Sequence, residues 1–204
     1  MLQLYDCLHS GNCYKVRLLL TQLGTPFRRI NVDVIQGEAR APAFLRINPN
    51  GKVPVLQVNA DFILPESNAI LCYLARDTPF FPIDPNAQAQ VLRWLFFETH
   101  NLPNIGSLRY WLTLVKQPDK IKDQLATKAD LGKAALKVME THLQTNTYFV
   151  ANQYSIADIA LYAYTHVAPA GGFDLSAYPN IITWINRVAA QPNHIAITHA
   201  NFDA

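Results

Sequence analysis

Hydrophobic and polar positions follow two different rhythms along this chain, and the change comes near residue 80. Before it, short alternating runs predict strands at about 2–6, 27–33, 54–58 and 61–64, while runs of longer period predict helices at about 13–23, 41–46 and 66–76. Strands interleaved with helices in this way predict a small α/β layer. The stretch Asp77-Thr78-Pro79-Phe80-Phe81-Pro82-Ile83-Asp84-Pro85 places three prolines in seven residues, which neither a helix nor an inner strand tolerates, and reads as a linker. From Ala87 onward the period is helical, with breaks at Pro103, Pro118, Gly171-Gly172 and Pro179, which predicts an all-α helical bundle. The expected division is a first domain at 1–78, a linker at 79–86 and a helical domain at 87–204.

One helix start is explicit. In Tyr154-Ser155-Ile156-Ala157-Asp158-Ile159, Ser155 is placed to cap the helix, Asp158 to reach back to the cap amide, and Tyr154 and Ile159 to form a hydrophobic staple. This is a folding signal, so no chemistry is assigned to Asp158.

Composition narrows the class. Of 204 residues, 50% are hydrophobic and 16% charged, below the roughly 25% of an average soluble protein, which predicts a well-buried globule and excludes disorder. Lys plus Arg number 17 against 15 Asp plus Glu, and the basic residues are scattered; no dense stripe exists to displace counterions from nucleic acid. No apolar run approaches the ~18 residues of a membrane span, and the first residues run into strand-like sequence without the pattern of a signal peptide, so a soluble cytoplasmic protein is expected. Cys7, Cys13 and Cys72 cannot all pair and lack redox or zinc spacing; reduced thiols are expected. No metal is expected either, because Cys7, His9 and Cys13 fit no common ligand spacing.

Three turns carry candidate chemistry. In Cys7-Leu8-His9-Ser10-Gly11-Asn12-Cys13, small polar residues meet a helix N-terminus, where Ser10 or Asn12 either caps the helix or helps hold an anion or thiolate. In Asn48-Pro49-Asn50-Gly51-Lys52-Val53-Pro54, a proline where a strand begins points to an edge or a cis bond, with the Val53 backbone offered to an extended peptide. In Leu64-Pro65-Glu66-Ser67-Asn68-Ala69-Ile70, Ser67 suits a carboxylate and Glu66 an ammonium group, the two ends of an amino acid; a helix start favoured by its acid is the alternative.

Taken in this order, the three turns resemble the glutathione transferase family. The first half resembles its thioredoxin-like α/β domain and the second its helical domain, so the resemblance covers essentially the whole chain. It implies that Glu66 and Ser67 hold the γ-glutamyl end of glutathione, that Val53 pairs its backbone with the cysteinyl unit beside cis-Pro54, and that Lys52 lies near the glycyl carboxylate. Some relatives place a His or Lys in the loop before the second helix; Arg40 is the substitute here. Ser10 matches the serine that hydrogen-bonds the glutathione sulfur, with Asn12 or a backbone amide as the alternative donor. The implied reaction is addition of the glutathione thiolate to a small hydrophobic electrophile, with glutathione as co-substrate and a homodimer as the assembly.

Departures from neighbouring subfamilies matter. Isomerase-like members carry Ser-Ser-Cys where this chain has Ser10-Gly11-Asn12, which argues against that activity. Cysteine-type members form mixed disulfides with glutathione, so a glutathione-dependent thiol transferase or peroxidase using Cys13 is one alternative. A non-catalytic glutathione-binding stress protein is the other. The electrophile side, by resemblance, draws on helices after residue 87, where Tyr110 and Trp111 are the chosen wall residues.

Overall fold

The computed structural model describes residues 1–202. The chain divides into two compact units, Met1–Arg76 together with the segment from Pro192 onward, and Asp77–Gln191.

The first unit is built on a four-stranded sheet of order β2-β1-β3-β4, with β1 at Leu2–Asp6, β2 at Phe27–Asn31, β3 at Val55–Gln57 and β4 at Ile63–Pro65. Strands β1 and β2 run parallel, as a connection through the intervening helix α1 (Gly11–Gln22) requires, and the other pairs are antiparallel. Alternation sends side chains to opposite faces. Leu4 and Leu56, paired in register, pack with Val16, Leu20, Phe27 and Ile70 beneath α1 and α3 (Ser67–Ala75); Val55 packs on the other face with Val32, Ala39 and Phe44, the last in α2 (Pro42–Leu45).

Helix α1 is covered almost all round, since Cys13 through Leu20 are all buried, including Lys15 and Arg17. Arg17 forms an ion pair with Asp6, itself fully buried, and Arg29 forms a second on the other carboxylate oxygen. Arg17 also donates to the carbonyls of Leu8 at 2.6 Å and Ile197 at 3.0 Å, and Tyr14 donates its hydroxyl to the carbonyl of Ile195 at 2.7 Å. These bonds attach the last part of the chain to α1. The expected helical domain at 87–204 therefore ends sooner in the structure: the residues from Pro192 onward belong with the first unit.

The second unit contains α4 (Pro85–Asn101), α5 (Pro103–Arg109), α6 (Leu125–Leu143), α7 (Ile156–Thr165) and α8 (Pro179–Ala189). Helix α4 begins before the expected Ala87, because Asp84 accepts from the Ala87 amide at 2.7 Å and Pro85 takes the first helical position. A proline there loses nothing, since its missing donor would have no partner. Pro103 and Pro179 open α5 and α8 in the same way. The core is aromatic: Phe149 lies 4.7 Å from Trp94 and 5.1 Å from Trp184, centroid to centroid.

The reciprocal cap of α7 is present. Ser155 Oγ accepts from the Ala157 amide at 3.3 Å, and Asp158 accepts from the Ser155 amide at 3.0 Å. Asp158 does more than cap: fully buried, it also receives the Trp184 indole N–H at 2.9 Å and the Phe149 amide at 3.2 Å. Burial pushes its carboxyl up to about 6, against the downward pull of these donors.

Candidate functional site

The first unit brings two of the three candidate turns into direct contact. Ser10 is the N-cap of α1, with extended backbone, and its Oγ accepts from the Cys13 amide at 3.3 Å. Such a cap leaves the serine O–H free to donate elsewhere, while the amides of Gly11 and Asn12 remain at the positive end of the helix. The first turn of α1 holds no acidic residue to neutralise that end.

At the start of α3, Glu66 occupies the cap position at φ 73° and ψ 110° with no side-chain cap bond, and it is exposed. A non-glycine residue in this region costs about 1–3 kcal/mol, a strain found most often where function demands the geometry. The next residue, Ser67, donates its hydroxyl to Asn12 Oδ1 at 3.3 Å, a bond across 55 positions of sequence. With its oxygen held by Ser67, Asn12 has its amide NH₂ left as a donor.

Behind this contact stands Lys15, which is 1% exposed. Its Nζ donates to Ser67 Oγ at 3.3 Å and to Asn68 Oδ1 at 3.2 Å. Neither this lysine nor Arg17 was among the sequence candidates. The available signal is the run Cys13-Tyr14-Lys15-Val16-Arg17-Leu18, where two long cations interrupt an otherwise buried helix.

The remaining turn has the expected cis bond at Val53-Pro54. Because β3 begins at Val55, the Val53 backbone lies outside the β1-β3-β4 ladder. Asn48 shapes the turn, accepting from the Asn50 amide at 3.1 Å and donating to the Lys52 carbonyl at 2.8 Å. Arg40 joins it, donating to the Asn50 carbonyl at 3.1 Å, so two exposed cations, Arg40 and Lys52, belong to one turn cluster. Gly51, at φ 61°, makes that approach possible: a Cβ there would sit 2.7 Å from Arg40 Nη1 and 2.8 Å from the Ala39 carbonyl oxygen.

Cys13 is fully buried, and burial drives its thiol well above the ordinary range; its sulfur accepts from the Cys7 amide at 3.3 Å. A thiol so placed is a core residue and not a nucleophile. Burial likewise raises Cys7 and Cys72, both half-buried.

In the second unit, Tyr110 and Trp111 open a π turn, Tyr110–Leu114, in which the Val115 amide reaches back to the Tyr110 carbonyl at 2.9 Å. Both are half-buried, and their rings meet edge to face at 5.1 Å. Among the described residues no group of three or more His, Cys, Asp or Glu could hold a metal ion, and no helix is long and apolar enough to cross a membrane.

The sequence matches the family model for the glutathione S-transferase N-terminal domain over residues 1–76 and that for the C-terminal domain over 108–192. This chain belongs to the glutathione S-transferase family. Glutathione S-transferase D6 of Drosophila melanogaster is 30% identical over 90% of this chain and 85% of its own length. The disulfide-bond oxidoreductase YfcG of Escherichia coli is 29% identical over 90% of this chain and 88% of its own. Among solved glutathione S-transferase structures, a possible member from Rhodopseudomonas palustris superposes with a TM-score of 0.97 at 47% identity, covering 100% of this chain and 93% of that one. A homologue from Sulfitobacter, solved with bound glutathione, gives a TM-score of 0.82 at 26% identity over 95% and 94% of the two chains. The thioredoxin-like and helical halves of the family thus correspond to the α/β unit and the helical unit of this chain.

Proposed function

We propose that this glutathione S-transferase binds glutathione in its first unit and adds the glutathione thiolate to small hydrophobic electrophiles. The observation that carries this reading is the Ser67–Asn12 hydrogen bond, which joins the turn suited to a sulfur anion to the turn suited to an amino-acid end. Glu66 and Ser67 take the γ-glutamyl ammonium and carboxylate, the Val53 backbone takes the cysteinyl unit, and Arg40 and Lys52 supply charge for the glycyl carboxylate. At the sulfur, Ser10 donates its O–H to the thiolate, aided by the α1 N-terminus, while the Asn12 amide is a second donor. A free thiol with pKa about 8.5 is a few per cent ionised at neutral pH, so each unit of depression raises the reactive fraction nearly tenfold until most is thiolate.

The ultraviolet thiolate absorbance of protein-bound glutathione across pH tests binding and activation together. A bound pKa clearly below about 8.5 supports the transferase. Saturable binding without depression favours a non-catalytic binding protein, and no binding overturns the glutathione assignment.

The likeness to the Escherichia coli disulfide-bond oxidoreductase favours a second reading, reduction of disulfides at the expense of glutathione. Since Cys13 is buried, the attacking sulfur in that case is the glutathione thiolate, which forms a glutathione mixed disulfide and releases the other substrate thiolate. Comparing turnover with an aromatic halide and with a small disulfide separates the two.

Tyr110 and Trp111 are assigned to the electrophile side, and a homodimer is the proposed assembly. Each unit leaves apolar rings exposed: Phe62 and Tyr73, 5.4 Å apart, on the first, and Phe96, 65% exposed, on the second. Light scattering giving a monomeric mass would overturn the dimer. Three unpaired thiols suit a reducing cytoplasm.

A further inference from the structure

Lys15 is an ammonium group set inside the first unit, directly behind Ser67. Its Nζ lies 3.3 Å from Ser67 Oγ and 3.2 Å from Asn68 Oδ1, and the residue is 1% exposed. Ser67 itself is 9% exposed and begins α3, whose cap residue Glu66 makes no side-chain cap bond. A carboxylate hydrogen-bonded to Ser67 would stand roughly 6 Å from the Lys15 ammonium, two hydrogen-bond lengths in succession. At that range an opposite charge shielded from solvent acts strongly, because little water intervenes to screen it. By donating to the Ser67 oxygen, the ammonium also polarises the serine O–H into a stronger donor, which turns from Asn12 Oδ1 to the carboxylate when the ligand binds.

We propose that Lys15 is a positioning and specificity residue that acts through Ser67, making this end of the site select ligands with an anionic α-carboxylate. The proposal rests on the reading that Ser67 holds the γ-glutamyl end of glutathione. It assigns the preference for a carboxylate to a side chain that the ligand does not touch.

The test is calorimetric binding to the full chain of glutathione and of 4-aminobutyryl-Cys-Gly, which lacks only the α-carboxylate. Wild type is expected to prefer glutathione by about tenfold or more, the usual weight of a hydrogen bond to a charged group. Lys15→Met and Lys15→Gln should lose most of that preference while binding the analogue as wild type does, which also certifies their fold, and Lys15→Arg should restore it. Equal preference in wild type, Lys15→Met and Lys15→Gln would overturn the proposal alone, leaving the glutathione reading intact. Failure of wild type to bind glutathione would overturn the reading, and the proposal with it.

Discussion

Arg17 donates to the carbonyl of Ile197 at 3.0 Å, tying α1 to a residue 180 positions further along the chain. The same guanidinium donates to the Leu8 carbonyl at 2.6 Å and pairs with Asp6, so one side chain holds a central strand, the turn that leads into Ser10, and the C-terminal segment. Truncation after Gln191 should therefore destabilise the first unit and weaken glutathione binding, although no residue assigned to the ligand is removed. Arg17→Met should cost about 1–3 kcal/mol, because the Leu8 and Ile197 carbonyls lose their charged donor while Asp6 keeps its pairing with Arg29. Arg17→Lys should not rescue it, because a single ammonium cannot serve acceptors spread over three segments. Chemical denaturation with a fluorescence readout measures each.

Ser10→Ala should raise the bound-thiol pKa by about one unit and lower turnover about tenfold at neutral pH, with glutathione affinity changed less. It also removes the cap bond to the Cys13 amide, costing about 1 kcal/mol in stability. If Asn12 or a backbone amide carries the sulfur contact, only the stability loss will be seen. The pair Ser10→Ala and Asn12→Ala, titrated by thiolate absorbance, assigns the donor.

Cys13→Ala should leave the rate of either glutathione-dependent reaction within about twofold of wild type once the variant's folded fraction is matched, since a buried thiol of raised pKa does no chemistry. Loss of disulfide reduction alone, with conjugation kept, would return Cys13 to the mechanism.

The candidate turns were legible in the sequence because each is local: Ser10 before a helix, a proline at the mouth of β3, Glu66-Ser67 at the start of α3. What joins them was not. Lys15 meets Ser67 across 52 positions and Arg17 meets Ile197 across 180, and no periodicity encodes a contact between side chains so far apart. The stretch from Pro192 to Phe202 is short and without a helical or strand period, so nothing in it announced that it packs with the α/β unit. Pro85 illustrates an ambiguity of a different kind. Counted among linker prolines it reads as a breaker, yet one residue after Asp84 it opens α4.

Asp158 should make stability fall as pH rises from about 4 to about 6. The folded carboxyl, pushed up to about 6 from 3.8, binds its proton more readily than the unfolded one, so stabilisation by that proton is full below about 4 and lost as pH passes about 6. The amplitude is about 3 kcal/mol. In Asp158→Asn this component should vanish. The variant should also be less stable at every pH, because its NH₂ must face donors, with Phe149 and Trp184 on one side and Ser155 on the other. Denaturation midpoints measured at several pH values check both.

Gly51→Ala should cost about 1–3 kcal/mol, since the new methyl meets the Ala39 carbonyl at a position whose φ is already left-handed. Displacing Arg40 from the turn should weaken glutathione binding as well, and a weaker effect on an analogue without the glycyl carboxylate would locate the loss at that end.

The π turn at Tyr110–Leu114 spans five residues where a regular helical turn closes over four. A residue added to a regular helix rotates everything downstream by about 100°, and a π turn is a form in which a helix holds one residue more. Tyr110 and Trp111 thus sit where the backbone holds one residue more than a regular turn does. On the proposed assignment of these two rings to the electrophile side, inserting or deleting one residue here should change that side while α5 before it stays in register.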